Sequence, residues 1–206
     1  MDRDERWRQF WDEQAPSYDR QMSFWERRFF GDSRAWICSQ ASGDTLEVAI
    51  GTGLNLPHYS AGVRLTGVEW SPQMLDQARR RATALRTEAD LRVGDAQALP
   101  FDDDAFDTVV CTFSLCAIPD DAKAVREMGR VLRPGGLLLL ADHVEAKPWY
   151  GRLVQRGLDL LTVRAAGEHW RRRPIRHVEA LGFPIERHDR FAAGAVERLA
   201  ARKPVA

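Results

Sequence analysis

The stretch Leu46-Glu47-Val48-Ala49-Ile50-Gly51-Thr52-Gly53-Leu54-Asn55 decides the fold. Its aliphatic run predicts a strand over residues 45–50 that is buried on both faces. The strand runs into a tight Gly-Thr-Gly turn, and the pattern beyond it predicts a helix. Strand, glycine turn and helix form the unit by which an open parallel sheet makes a nucleotide-sized site at its carboxyl edge. Glycine there lets the backbone take strained angles and come close to a ligand. A dinucleotide site calls for a third glycine near Leu56, and none is present. The turn is therefore expected to face a ligand without a pyrophosphate.

Working outward, the same strand-helix alternation repeats. Residues 63–69 read as a second strand. Ser71-Pro72 then supplies an N-cap and a first-turn proline for a helix running to Leu85. Residues 91–95 and 106–112 read as two more strands. A helix from Pro119 to Leu132 follows, and Arg133-Pro134-Gly135-Gly136 is a helix stop and turn. Residues 137–142 form a fifth strand. Residues 149–181 carry helical periodicity, and two further strands fit 183–191 and 196–201, the last of which also suits a helix. The expected fold is α/β: a three-layer, Rossmann-like sandwich around a mostly parallel seven-stranded sheet.

Residues 1–42 hold four of the seven tryptophans. Trp7, Phe10 and Trp11 recur at helical spacing, and Pro16 interrupts the pattern before Tyr18, Phe24, Trp25, Phe29, Phe30 and Trp36. A helical pair packed on the sheet, a lid that excludes water from the ligand, and an interfacial membrane helix all fit. The polar face carries as much acid as base, which argues for packing and lid over membrane contact.

Bulk properties exclude several classes. Thirty basic and thirty acidic side chains cancel across 206 residues, so no global field favours nucleic acid or an anionic surface. The longest aliphatic run, Leu137 to Ala141, is too short to cross a bilayer. Cys38, Cys111 and Cys116 form no Cys-x-x-Cys pair, and the chain is charged from Asp2 onward. Reduced thiols and a cytoplasmic setting are expected. No His/Cys grouping has metal-ligand spacing along the chain, so no metal is expected.

Three acids mark the strand ends: Glu47 within the first strand, Glu69 after the second and Asp95 after the third. Such positions open into the crevice where α/β sheets bind ligands. Acids at the second and third suit a ribose diol and an adenine amino group.

At these residues the chain resembles the class I S-adenosylmethionine-dependent methyltransferases. The resemblance covers about residues 15–145. It rests on Glu47 to Gly53, Gly67 to Met74, Gly94-Asp95-Ala96 with Leu99-Pro100-Phe101, Phe106-Asp107 and Arg130 to Gly136. Tyr18-Asp19 matches the ubiquinone-biosynthesis type. The resemblance implies S-adenosylmethionine as cofactor, with Gly51 and Gly53 beside its methionine portion. It puts Glu69 on the ribose, Asp95 and Ala96 at the adenine, Trp70 or Leu99 on the adenine face, and Tyr18 at the methionine carboxylate. Glu47, Asn55 and Thr112 complete the implied cofactor set. The family's first motif glycine is Ala49 here. It further implies one methyltransferase domain over 1–206, divided into a helical lid (1–42), a cofactor-binding core (43–145) and acceptor-side helices and strands (146–206).

Val109 to Cys116 and Ala141-Asp142-His143-Val144 are similar to methyltransferase-like proteins acting on alkyl thiols at the endoplasmic reticulum. Those proteins carry an N-terminal membrane anchor, and no such apolar segment opens this sequence. Related bacterial enzymes methylate phospholipid amines or small metabolites. The expected reaction is methyl transfer to a small-molecule nucleophile, a thiol first. A lipid amine acceptor at a membrane surface and a non-catalytic cofactor-binding module are the alternatives. His143, at the end of the fifth strand, is the candidate base. Cys116, His143, His169 and Trp170 are the candidate acceptor residues.

Overall fold

The computed structural model describes residues 3–205. Five parallel strands come first: β1 (Asp44–Val48), β2 (Arg64–Glu69), β3 (Ala89–Val93), β4 (Phe106–Thr112) and β5 (Leu132–His143). β6 (Ile185–Phe191) and β7 (Val196–Arg202) complete one sheet in the order β3-β2-β1-β4-β5-β7-β6, with β7 antiparallel to both neighbours. Strand order reverses between β1 and β4, so their carboxyl ends diverge and leave a crevice.

Leu46 and Val48 are buried, as are Thr45 and Glu47, because helices cover both sheet faces. Helix α4 (Asp121–Val131) and helix α6 (Pro174–Ala180) lie over one large cluster that includes Leu46, Val109, Leu138 and Leu140. Helix α2 (Ser33–Cys38) covers the other face against Val110, Leu139 and Ala200. Helix α3 (Pro72–Leu85) starts where expected: Ser71 Oγ accepts from Met74 N at 3.1 Å, with Pro72 in the first turn.

Four local expectations are corrected. The glycine turn leads into a single 3₁₀ turn, Leu56–His58, and the chain is extended again at Tyr59, whose ring packs on the core and whose hydroxyl bonds Glu47. The aromatic N-terminus is one helix up to Trp25, α1 (Arg3–Trp25), with Pro16 inside it, then a π turn at Glu26–Phe30. The proline removes one backbone hydrogen bond, and contacts to α3 and helix α5 (Trp149–Ala166) hold the helix on both sides of it. Arg133–Gly136 does not separate helix from strand: β5 begins at Leu132, and the four residues bulge between the pairs Phe106–Leu132 and Thr108–Leu137. The helical region 149–181 is two helices, since Gly167 ends α5 at φ +70° and a Cβ there would strike the Trp7 ring at 2.6 Å. Of the two readings left open for the last segment, the strand holds: residues 196–202 form β7, paired along its length with β5.

Candidate active site

A cavity opens at the carboxyl ends of β1, β2, β3 and β4. Gly51, Glu69, Trp70, Asp95, Ala96 and Thr112 line it from the sheet side, and Trp11, Tyr18 and Arg34 from the N-terminal helices. Most of the expected cofactor set is thereby brought together. Gly53, Glu47 and Asn55 are not in the wall, and each has a different task.

The glycine turn is built by Glu69. One carboxylate oxygen accepts from Gly51 N at 2.9 Å and the other from Ser71 N at 2.8 Å. A carboxylate has about four acceptor positions, so two remain for a ligand. Burial raises the Glu69 pKa, and the N–H groups of Ser71, Gly51 and Trp70 oppose that rise. Gly51 has φ +59°, and the space where its Cβ would stand is open for 4 Å. Gly53 also has a positive φ, but a Cβ there would meet Leu56 at 2.7 Å and the Ala78 backbone at 3.2 Å. Its glycine therefore serves packing on α3. Ala49 lines the cavity and sits in the left-handed region at φ +56°. Asp95 accepts from the Gln97 backbone N–H at 2.8 Å, and Gln97 Oε1 accepts from Asp120 N at 3.0 Å. Leu99 is buried away from the cavity, while Trp70 lines it.

Behind the wall, Asn55 is the hub. Its Nδ2 donates to Glu47 Oε1 at 2.8 Å and to Thr112 Oγ1 at 2.9 Å, and its Oδ1 accepts from Arg34 Nη1 at 2.9 Å. Tyr59 donates to the second Glu47 oxygen at 2.8 Å. Burial pushes the Glu47 carboxyl up to about 7, against the pull of Tyr59, Arg34 and Asn55. Arg34 also bonds Thr112 at 3.1 Å and pairs with Glu26. Helix α2, with the π turn paired to it, is thus tied to β4 directly and to β1 through Asn55 by charge-assisted bonds.

Two further anchors hold α1 over the glycine turn. Asp19 accepts from Thr52 Oγ1 at 2.6 Å and pairs with Arg81, which donates to Thr52 O at 2.8 Å. Asp12 takes the Ser71 hydroxyl proton in a hydrogen bond. Sequence reasoning missed Asp12, Arg34 and Arg81. The readable signal was the seven-residue spacing of Asp12 and Asp19, which puts both on one face of α1.

Beyond Tyr18 lies a second cluster at the ends of β4 and β5. His143 is buried; its Nε2 lies 3.2 Å from Glu168 Oε1 and its ring stacks on Trp170 at 4.4 Å between centroids. Its Nδ1, like Trp170 Nε1, is buried with no hydrogen-bond partner. Burial lowers the His143 pKa, but Glu168 and Asp142 outweigh it and the net shift is upward. Asp142 accepts from Cys116 N at 3.1 Å and His143 N at 2.8 Å. Cys116, His143 and Trp170 therefore meet, but neither they nor His169 line the cavity. His169 is held through its backbone N–H, which donates to Cys116 O at 2.8 Å and ties the segment after α5 to the end of β4. No metal grouping was readable along the chain, yet the fold brings ligand-type atoms of Cys116, Asp142 and His143 within 4.8 Å of one another.

Known proteins support a family for the cofactor-binding core. Residues 46–140 match the family described as "Methyltransferase domain", the span that holds Gly51, Glu69, Asp95 and Thr112. Residues 46–140 thus carry a methyltransferase domain of the class I S-adenosylmethionine-dependent type. The family implies S-adenosylmethionine as the cofactor. A phosphatidylethanolamine N-methyltransferase of Cereibacter sphaeroides is 43% identical over 103 residues, 49% of this chain and 51% of that protein. The human thiol S-methyltransferase TMT1B is 30% identical over 138 residues, 66% of this chain and 56% of that protein. The chain spans about half the length of the curated relatives it matches. A solved S-adenosylmethionine-dependent methyltransferase of Thermotoga maritima shares the fold, with a TM-score of 0.72 at 20% identity over 95% of this chain and 99% of that one.

Proposed function

We propose that the chain transfers a methyl group from S-adenosylmethionine to a small-molecule nucleophile, with a thiol as the first candidate. The observation that carries the cofactor half is Glu69. It holds the glycine turn with two acceptor positions and leaves two for the ribose hydroxyls of a nucleoside. The open space at Gly51 suits the methionine portion, and Asp95 with Ala96 suits the adenine edge. Trp70 offers a ring to the base, and Tyr18 and Arg34 reach the cavity from above as groups for the methionine carboxylate. Glu47 and Asn55 act from behind, by fixing Arg34 and Thr112.

When bound, S-adenosylmethionine supplies an electrophilic methyl group on a sulfonium. The protein's part is to align the acceptor with that methyl group and to exclude water. Trp11 and Tyr18 on α1 suit the water-excluding task, which is the basis for assigning residues 1–42 as a lid. His143 suits the proton: Nδ1 is unpartnered, and Glu168 at Nε2 stabilises the imidazolium that forms. In the balanced step, an acceptor lone pair forms the bond to the methyl carbon and the methyl–sulfur bond breaks with its electrons going to sulfur. The acceptor proton passes to His143.

Calorimetric titration with S-adenosylmethionine, followed by product analysis across thiol, amine and phenol panels, tests the reading. Binding and a methylated thiol are expected. Absence of binding at millimolar cofactor would overturn it, and binding without any methylated product would favour a non-catalytic cofactor-binding module. A lipid amine acceptor is the second reading, favoured by the relative from Cereibacter sphaeroides.

A further inference from the structure

Helix α5 carries an apolar face that the described residues leave exposed. Trp149, Tyr150, Leu153, Val154, Leu160 and Leu161 are each 60–74% exposed. They recur at the three- and four-residue steps that line one side of a helix. Monomeric soluble proteins rarely leave so continuous an apolar stripe in water. Among the described residues no helix is long and apolar enough to cross a membrane, so the stripe is not a span.

The charges on and just before it are mostly positive, with half-buried Glu145 the acid that precedes it. Arg152, Arg156 and Arg164 lie on α5, and Lys147 precedes it. The single acid on the helix, Asp159, is turned inward and holds Trp170 N and Arg171. Aromatic residues at one end, leucines along the face and arginines beside them suit a headgroup boundary of negative charge. The end of α1 adds to the same region. Trp25 packs on Trp170 at 5.8 Å, and the exposed Phe24 and Phe29 pack on Trp25, next to the exposed Arg27 and Arg28.

The buried side of α5 is joined to the acceptor cluster. Gln155 bridges Ala146 N and Val144 O just beyond His143, both at 2.8 Å. Thr162 donates to Glu168 O at 2.8 Å, and Asp159 fixes Trp170. The helix that presents the apolar stripe thus also braces the cluster around His143.

We propose that α5 seats the protein on an anionic bilayer, with the stripe in the headgroup boundary, and that the methyl acceptor is a lipophilic molecule drawn from that bilayer. The acceptor half rests on the methyltransferase reading; the docking half does not. The bulk charge balance gives no hint of this surface, because its positive charge is local to one helix.

The test is co-sedimentation of the full chain with vesicles of phosphatidylcholine alone or mixed with phosphatidylglycerol, with cofactor affinity measured by calorimetry on the same protein. Binding to the mixed vesicles and little to phosphatidylcholine is expected. The exposed substitution Leu160→Glu should weaken vesicle binding about tenfold, the weight of one interfacial leucine. Arg156→Gln should weaken it about fivefold, and added salt should remove that difference. Cofactor affinity should not move in either variant. Failure of the chain to sediment with mixed vesicles would overturn the proposal, as would equal binding by Leu160→Glu. A stable dimer in light scattering that Leu160→Glu converts to monomer would assign the face to a second copy and overturn it too. Vesicle binding reads the docking alone and cofactor binding reads the methyltransferase assignment alone, so the two fail separately. For the acceptor, methylation of an alkyl thiol should be faster when the thiol is presented in mixed vesicles; equal rates with and without vesicles would overturn that half.

Discussion

At the ends of β1, β2 and β3 the cavity is shaped by backbone. Glu69 bonds two main-chain N–H groups, Asp95 bonds a third, and Gly51 leaves open space for a ligand. Beyond Tyr18, at the ends of β4 and β5, a second region outside the cavity lining is shaped by side chains. His143, Glu168, Asp142, Cys116 and Trp170 hold one another in place, and two buried nitrogens among them lack partners. A backbone cradle suits a ligand whose shape never changes. A side-chain cluster can vary with the acceptor while the cradle stays the same. The two regions should therefore respond differently to substitution.

The largest expected effect falls on the side-chain cluster. His143→Gln should lower kcat by about a hundredfold or more for an acceptor that must lose a proton, with cofactor affinity unchanged. In the unsubstituted enzyme the rate should fall as pH drops through the His143 pKa, which lies above the ordinary histidine value of 6.5. His143→Gln should lose that acid limb. An unchanged pH–rate profile would remove His143 as base and leave the cluster a structural one.

Next comes the cradle. Glu69→Ala should weaken S-adenosylmethionine binding by at least about a hundredfold, since two hydrogen bonds to a charged group are lost and the turn loses its acceptor. Calorimetry checks it. Affinity unchanged within a factor of about three, well under the weight of one such bond, would take Glu69 off the ribose and break the contrast between the two regions.

The difference between the regions also explains what could be read from the sequence. The cradle is local. Glycine turn, Ser-Pro cap and strand-end acids each sit within a few residues of the feature they make, so Gly51, Glu69, Trp70, Asp95 and Ala96 were all legible and all line the cavity. Gly53, Glu47 and Asn55 belong to the same motif, but their sequence neighbourhood does not distinguish a wall residue from one packed behind it. The side-chain cluster draws Cys116, His143 and Glu168 from three distant segments, while Tyr18 lines the cavity from a fourth. His143 and Cys116 were legible as strand-end residues, whereas Glu168 follows a helix break at Gly167 that periodicity on both sides conceals. Arg34 escaped because its four-way role depends on Glu26, Asn55, Thr112 and the Phe113 ring, which meet only in the fold.

A third effect lies behind the cradle. Burial lifts Glu47 from 4.5 to about 7, so between those values the folded protein holds a proton that the unfolded chain has released. The stabilising contribution is complete below about pH 4.5 and is lost as pH rises through 7. The whole window is worth up to about 3 kcal/mol. Glu69 and Asp142 are raised as well and add slopes of the same sign. Comparing urea midpoints at about pH 5 and about pH 8, on either side of the shifted value, for the unsubstituted chain and Glu47→Gln isolates Glu47. The variant should lose part of the decline. An equal decline in both would show that the Glu47 proton does not respond to folding.

The smallest effect is the sharpest probe of how the cradle is made. Ala49 stands where the family has glycine, at φ +56°. A left-handed alanine costs about 1–2 kcal/mol relative to its right-handed form, and the added freedom of an unfolded glycine returns part of that. Ala49→Gly should therefore stabilise the protein by roughly 0.5–1 kcal/mol, a rise of about 2 °C in Tm for a chain of this size. Removing a methyl group from the cavity wall should leave cofactor affinity equal or slightly higher. If the backbone sets the cradle, that small gain follows from the φ angle alone. A loss of about 1 kcal/mol or more on thermal unfolding, the weight of a buried methyl group, would instead mean that the Ala49 methyl is packed as a side chain. The cradle would then be built in the same way as the side-chain cluster.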